Sequence, residues 1–146
     1  MNDDAFKVVY NKALDIISRR EHSQKELIGK LLNKFSEEEI VNSVINNLVE
    51  KNLLNDTRYS EAYVVSRKRK GFGPKKIMYE LIARGVIENI AYKAIENEGG
   101  WKDAALKVFN KKFKKGKAMD FKELNKQKTF LQNRGFSFEE IDSVFT

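Results

Sequence analysis

The apolar residues of this 146-residue chain recur at an interval of 50. Leu27, Leu31, Phe35, Ile40, Val44 and Ile45 are each followed, 50 positions later, by Ile77, Leu81, Gly85, Ile90, Ala94 and Ile95. A weaker third copy continues the series. Leu131, Arg134 and Gly135 stand 50 beyond Leu81, Arg84 and Gly85, and Ile141 stands 51 beyond Ile90, so one extra residue enters that turn. A fixed period of this size marks an array of small supersecondary units that bury apolar faces against their neighbours. Units this small bury too little surface to be stable alone, so the copies must lean on one another. The expected boundaries are 1–53, 54–98 and 99–146. Such arrays present extended surfaces to large partners and seldom build one deep catalytic pocket.

Within each unit the pattern is helical. Proline occurs once, at Pro74, and no stretch alternates apolar and polar residues as a half-buried strand would. Phe6, Val9, Tyr10, Ala13, Leu14 and Ile17 follow one helical face. Ser23 and Glu26 form an S-x-x-E capping box, and the same spacing recurs at Ser36/Glu39 and Ser137/Glu140. Asn55-Asp56 and Asp120/Glu123 supply further N-caps. Pro74 fits the first position of a helix, where its missing amide is not needed. Gly85 reads as a left-handed C-cap. The expected buried faces include Leu27, Leu31 and Ile40, then Tyr59, Ala62, Tyr63, Ile77, Met78, Leu81, Ile82 and Ile90, then Leu131 and Ile141. The fold class is therefore all-α: three tandem three-helix repeats, elongated and curved.

The net charge of +7 is unevenly spread. The three expected units carry −1, +3 and +5 in order, which directs the second and third toward an anionic partner, most simply nucleic acid. A solvated surface that only keeps the protein soluble explains the same charges. Two clusters stand out: Arg67, Lys68, Arg69 and Lys70, with Lys75 and Lys76 across a short turn; and Lys111, Lys112, Lys114, Lys115 and Lys117. Cations at the end of a helix are favoured by its dipole. Lysines at a helix start, like Lys75 and Lys76, are not, so an anionic ligand explains them better. The second cluster contains Gly116 and reads as a mobile turn. Phe109 and Phe113, spaced by four, face the core and are not base-stacking platforms. No base-reading motif is evident, so nucleic-acid contacts would go to phosphates without sequence specificity.

Catalysis finds little support in the residues. His22, the lone histidine, stands beside an N-cap and reads as a solvated turn residue. There is no cysteine, hence neither thiol nucleophile nor disulfide framework, which fits a reducing compartment. Glu37–Glu39 and Glu139–Glu140 complement helix dipoles and need no metal. The segment Gly71-Phe72-Gly73-Pro74-Lys75-Lys76 lacks the spacing of a phosphate-binding loop. The start, Met1-Asn2-Asp3-Asp4, is acidic where a signal peptide is basic, and no apolar run approaches the roughly 18 residues of a membrane span. We expect a cytoplasmic, monomeric, non-enzymatic protein with no cofactor and no membrane association.

Four stretches together resemble the RecX family of bacterial recombination regulators: residues 13–32 (ALDIISRREHSQKELIGKLL), 53–64 (LLNDTRYSEAYV), 73–86 (GPKKIMYELIARGV) and 130–145 (FLQNRGFSFEEIDSVF). No single motif is specific, but the D-x-R-[YF]-x-x-A-Y segment, the arginine-then-serine start of the second helix and the paired R-G helix ends occur in the family's order and spacing. The chain departs from the family pattern in its heavily basic segment 111–117. The resemblance implies tandem three-helix repeats. It also implies a regulator that lies along the RecA recombinase filament on DNA and restrains its ATPase, strand-exchange and coprotease activities in repair, recombination and the SOS response. Arg67 to Lys70, Lys75, Lys76 and the lysines of 111–117 would then face the filament or DNA phosphate. The alternative is a stand-alone, sequence-nonspecific nucleic-acid-binding repeat module. The two differ in recombinase dependence: a regulator binds filaments far more tightly than bare DNA at physiological salt.

Overall fold

The structure, a computed structural model, describes residues 3–146, so Met1 and Asn2 of the acidic start lie outside it. Among the described residues it contains nine α-helices and no strand: α1 (Asp3–Ile17), α2 (Gln24–Leu32), α3 (Glu38–Glu50), α4 (Asp56–Arg69), α5 (Pro74–Ala83), α6 (Glu88–Glu98), α7 (Trp101–Lys112), α8 (Phe121–Asn133) and α9 (Phe138–Phe145). The caps are largely those expected. Ser23 and Ser137 form complete capping boxes with Glu26 and Glu140, and Asp120 accepts from the Glu123 amide. The Asn55 side chain accepts from the Arg58 amide at 2.9 Å. The box expected at Ser36 does not form. Glu37 is the N-cap of α3, which places Glu39 one position too early to reach back.

The helices close into two compact units. The first holds the chain up to Ala62 together with Leu81–Ala91; the second holds Tyr63–Glu80 and Tyr92–Thr146. The sequence repeat and the packing unit are thus different divisions, because α4, α5 and α6 each contribute to both units. In the first unit α1, α2 and α3 pack on one another around a mainly aliphatic core of Val9, Ala13, Leu27, Leu31, Val41, Val44, Ile45, Leu48 and Leu54. In the second, α7, α8 and α9 do the same around a more aromatic core. There Phe109 meets Phe145 edge-on at 5.3 Å and Phe113 at 5.1 Å, over buried Leu131, Phe136 and Val144.

Several expected core positions move outward. Ile40, Ile90, Met78 and Tyr63 are only partly buried, and Ala62 is exposed; Ile82 is 46% exposed. On α4 Tyr59 is buried as expected, and Ser60 and Val64 join it in place of Ala62 and Tyr63. Ser60 is tolerated there because its hydroxyl donates to the Asp56 carbonyl at 2.7 Å.

Each unit contains the same joint, in which the start of one middle helix meets the R-G end of the next. In the first unit the Ser23 hydroxyl, fully buried, donates to the Arg84 carbonyl at 2.8 Å. Gly85 takes φ +85° and lies so close to Lys25 that an added Cβ would stand 2.5 Å from the Lys25 Cβ. In the second unit the Gly73 amide donates to the Arg134 carbonyl at 2.7 Å and the Lys75 amide to the Gly135 carbonyl at 2.9 Å. A Cβ on Gly73 would lie 2.5 Å from the Gly135 carbonyl carbon and the Phe136 nitrogen. This approach is backbone on backbone, and glycine is the residue that permits it.

His22 corrects the expectation of a solvated turn residue. It is 3% exposed, directly before Ser23. Its Nδ1 lies 3.0 Å from the Arg20 carbonyl and its Nε2 2.7 Å from Lys30 Nζ. A carbonyl only accepts, so Nδ1 carries the proton and bare Nε2 accepts from the ammonium. Contacts with Arg20 and Lys30, eight residues further on, take the ring into the fold, and no local pattern announces them.

Candidate nucleic-acid interface

The second unit concentrates the charge. Its residues include 18 Lys/Arg against 9 Asp/Glu, a net of +9, whereas the first unit has 10 against 12, a net of −2. The last turns of α4 and α7 both end in cations, Arg67, Lys68 and Arg69 on one and Lys111 and Lys112 on the other, where the helix dipoles favour them. These helix ends, the 70–71 turn and the end of α8 enclose a groove of ≈ 790 Å³. Lys68, Arg69, Lys70, Lys107, Lys111, Lys112 and Arg134 line it, against two acidic residues, Glu98 and Asp103.

The structure divides the sequence candidates into distinct groups. Arg69, Lys70, Lys111 and Lys112 are exposed and share the groove. Lys68 lines it too, but its ammonium is engaged by Glu98 at 3.0 Å and the Gly99 carbonyl at 2.8 Å, and lies over Trp101. Arg67 is tied up internally: its Nε and Nη2 donate to the two oxygens of Glu80 at 2.9 Å each, and its guanidinium stacks 3.9 Å from the Phe72 ring centre. Lys75 and Lys76 are exposed outside the groove, as are Lys114, Lys115 and Lys117. The segment holding those last three is pinned where a mobile turn was expected. Buried Gln127 donates to the Gly116 carbonyl at 3.1 Å and accepts from the Ala118 amide at 3.1 Å.

Two groove residues escape sequence reasoning. Lys107 stands four before Lys111 and so shares its helical face, a spacing present in the sequence but less conspicuous than the denser lysine run after it. Arg134 reads from sequence only as half of a helix-ending R-G pair. In the fold it turns into the groove beside Phe130. Among the described residues no group of three or more His, Cys, Asp or Glu side chains could hold a metal ion, and no helix is long and apolar enough to cross a membrane.

Fold and charge define a class: an all-helical protein of tandem three-helix units with one strongly basic groove. Comparison with known proteins places it further. Family models described as the first, second and third three-helix domains of RecX match residues 10–48, 55–95 and 102–145. The chain belongs to the RecX family. It is 41% identical over 130 residues to a protein of Vibrio campbellii named regulatory protein RecX, covering 88% of this chain and 84% of that one. It is 35% identical over 138 residues to the regulatory protein RecX of Halorhodospira halophila, covering 94% and 86%. The crystal structure of RecX from Lactobacillus salivarius superposes with a TM-score of 0.85 at 26% identity, over 99% of this chain and 96% of that one. Relatives over this range are named as regulatory proteins and not as enzymes.

Proposed function

We propose that this protein is a cytoplasmic, monomeric regulator that binds the RecA recombinase filament on DNA and inhibits its ATPase, strand-exchange and coprotease activities. The observation that carries the reading is the contrast of −2 and +9 between the two units, with the excess cations of the second gathered along one groove. Membership of a family of regulatory proteins supplies the regulatory half of the reading. A groove of this sign fits the phosphate backbone of the DNA in the filament or an acidic filament surface. Arg69, Lys70, Lys107, Lys111 and Lys112 are the principal contacts; Lys75, Lys76, Lys114, Lys115 and Lys117 add weaker ones from outside the groove. Arg67 and Lys68 support the surface through their carboxylate partners.

The test is recombinase ATPase on single-stranded DNA against rising concentrations of this protein. Wild-type protein should suppress turnover. A variant with Arg69, Lys70, Lys107 and Lys111 all changed to glutamine should stay folded, since exposed charges contribute little to stability, and should suppress it poorly. Unchanged ATPase with wild-type protein would remove the inhibitory reading. Tight binding to bare DNA at physiological salt, indifferent to the recombinase, would favour the stand-alone nucleic-acid module instead.

A further inference from the structure

We infer that Arg134 is the fixed anchor of the groove, a preorganised site for one backbone phosphate of a nucleic acid. The inference rests on reading the groove as a nucleic-acid surface, and it names the side chain that sets the register.

Arg134 is unlike the other cations around it. It is the C-cap of α8, and its carbonyl accepts from the Gly73 amide, so its backbone is locked by the joint of the second unit. Its guanidinium lies near two aromatic rings, 5.1 Å from the centre of Phe72 and 5.2 Å from that of Phe130. Nη1 reaches the Lys70 carbonyl at 3.4 Å and sits against Gly71, where an added Cβ would stand 3.3 Å away. The side chain is half-buried, yet no carboxylate pairs with it among the described residues. Arg67, around the same Phe72 ring, has Glu80, and Lys68 has Glu98.

A partly desolvated guanidinium with most of its donors unused gains most from an anion of matching geometry. The two nearby rings shield the guanidinium from part of the solvent, and Nη1 is the donor held by the protein, on the Lys70 carbonyl. The planar fork matches phosphate oxygens two at a time, which a lysine ammonium does not do. Exposed Lys70, Lys107, Lys111 and Lys112 line the same groove as a looser field around that point. Base recognition is disfavoured, because the rings that could stack bases already hold cations: Phe72 has Arg67, Lys76 and Arg134, and Phe130 has Lys112 and Arg134. The ligand class is therefore the phosphodiester backbone, bound without sequence preference.

The experiment measures binding of the full chain to a fluorescent mixed-sequence single strand across a salt series, beside thermal melts. Arg134→Gln should lower affinity at least about tenfold and reduce the salt slope by about one unit. Arg134→Lys, which keeps the charge and stem if glutamine unfolds the joint, should keep the slope yet still bind less tightly. Strands carrying neutral methylphosphonate linkages should weaken wild-type binding and weaken Arg134→Gln binding less. Folded Arg134 variants with wild-type affinity overturn the proposal, as does a wild-type protein that binds no DNA even at low salt. ATPase inhibition measured in parallel separates this from the regulatory reading. DNA binding that depends on Arg134 without inhibition leaves the anchor standing and removes the regulator; inhibition without DNA binding does the reverse.

Discussion

The two units solve one docking problem with different chemistry. In the first, a middle helix meets the following R-G end through a side chain, the buried hydroxyl of Ser23, with Lys25 lying over Gly85. In the second, the same meeting is made by backbone amides of Gly73 and Lys75 on the carbonyls of Arg134 and Gly135. Both joints press a glycine against a lysine Cβ, Gly85 on Lys25 and Gly135 on Lys76, but in the first the hydrogen bond comes from a hydroxyl, which can rotate away when its surroundings are altered. A backbone joint has no spare atoms. It also delivers Arg134 to the groove in a fixed position, which the acidic first unit has no use for. The second copy of the joint is therefore the less tolerant one, and it is the one next to the candidate site.

The strongest way to break this comparison is Gly73→Ala. Its Cβ would stand 2.5 Å from backbone atoms of Gly135 and Phe136 and 2.6 Å from the Gly135 oxygen, none of which can rotate away. A cost above about 4 kcal/mol is expected, beyond the range of most single substitutions. Trp101, the chain's lone tryptophan, is buried in the second unit, so its fluorescence in urea reports that unit. If Gly73→Ala unfolds no more easily than wild type by this probe, the backbone joint is not rigid and the comparison fails.

Next in size is Leu81→Ala. Leu81 is fully buried in the first unit, and truncation should cost about 2–5 kcal/mol. Circular dichroism and Trp101 fluorescence followed together sharpen the comparison. If the units unfold separately, the dichroism curve shifts while the fluorescence curve stays. If both shift alike, α4, α5 and α6, which contribute to both units, make the chain one cooperative body.

Much of this architecture was legible in the chain because it repeats. Leu27 and Ile77, or Leu31, Leu81 and Leu131, are equivalent positions, and all are fully buried. Helix starts were legible wherever a cap acts within four residues, as at Ser23, Ser137 and Asp120. What depended on distant partners was not. Arg67 and Lys68 looked like free charges because their carboxylates stand 13 and 30 residues away. Gly73 looked like ordinary turn punctuation before Pro74, and nothing local announces that Gly135 will press against it. Arg134 has the same blind spot: one of the two rings near it, Phe72, comes from 62 residues away, and only Phe130 belongs to its own helix.

A smaller effect is expected from Ser23→Ala. Loss of the N-cap costs about 1 kcal/mol, and loss of the bond to the Arg84 carbonyl costs about 1 kcal/mol more. Urea unfolding followed by dichroism should place this variant between wild type and Leu81→Ala. A cost matching the expected loss for Gly73→Ala would mean that the side-chain joint is as unforgiving as the backbone one.

The smallest expected effect is a pH dependence confined to the first unit's joint. Burial lowers the affinity of His22 for a proton, and the positive charges of Arg20 and Lys30 lower it further, against the Arg20 carbonyl and Glu26, which raise it. Folded protein therefore binds fewer protons at this site than unfolded protein does. Stability from His22 is complete above the ordinary histidine value of about 6.5 and is lost as pH falls below it. Two nearby carboxyls act in a lower window. Burial pushes Glu26 upward, but hydrogen bonds from Arg20 and the Ser23 amide outweigh that and hold it below its usual value. Burial raises Asp56 against the opposing bond from the Gln24 amide. The window just below neutrality thus belongs to His22. Thermal melts from about pH 7.5 to about pH 5.5 should show wild type losing stability, His22→Gln losing less, and Lys30→Met falling between them, because it removes the ammonium that faces Nε2 at 2.7 Å. A His22→Gln variant with the same pH slope as wild type would mean that the histidine opens to water on protonation and that the joint does not enforce its neutral form.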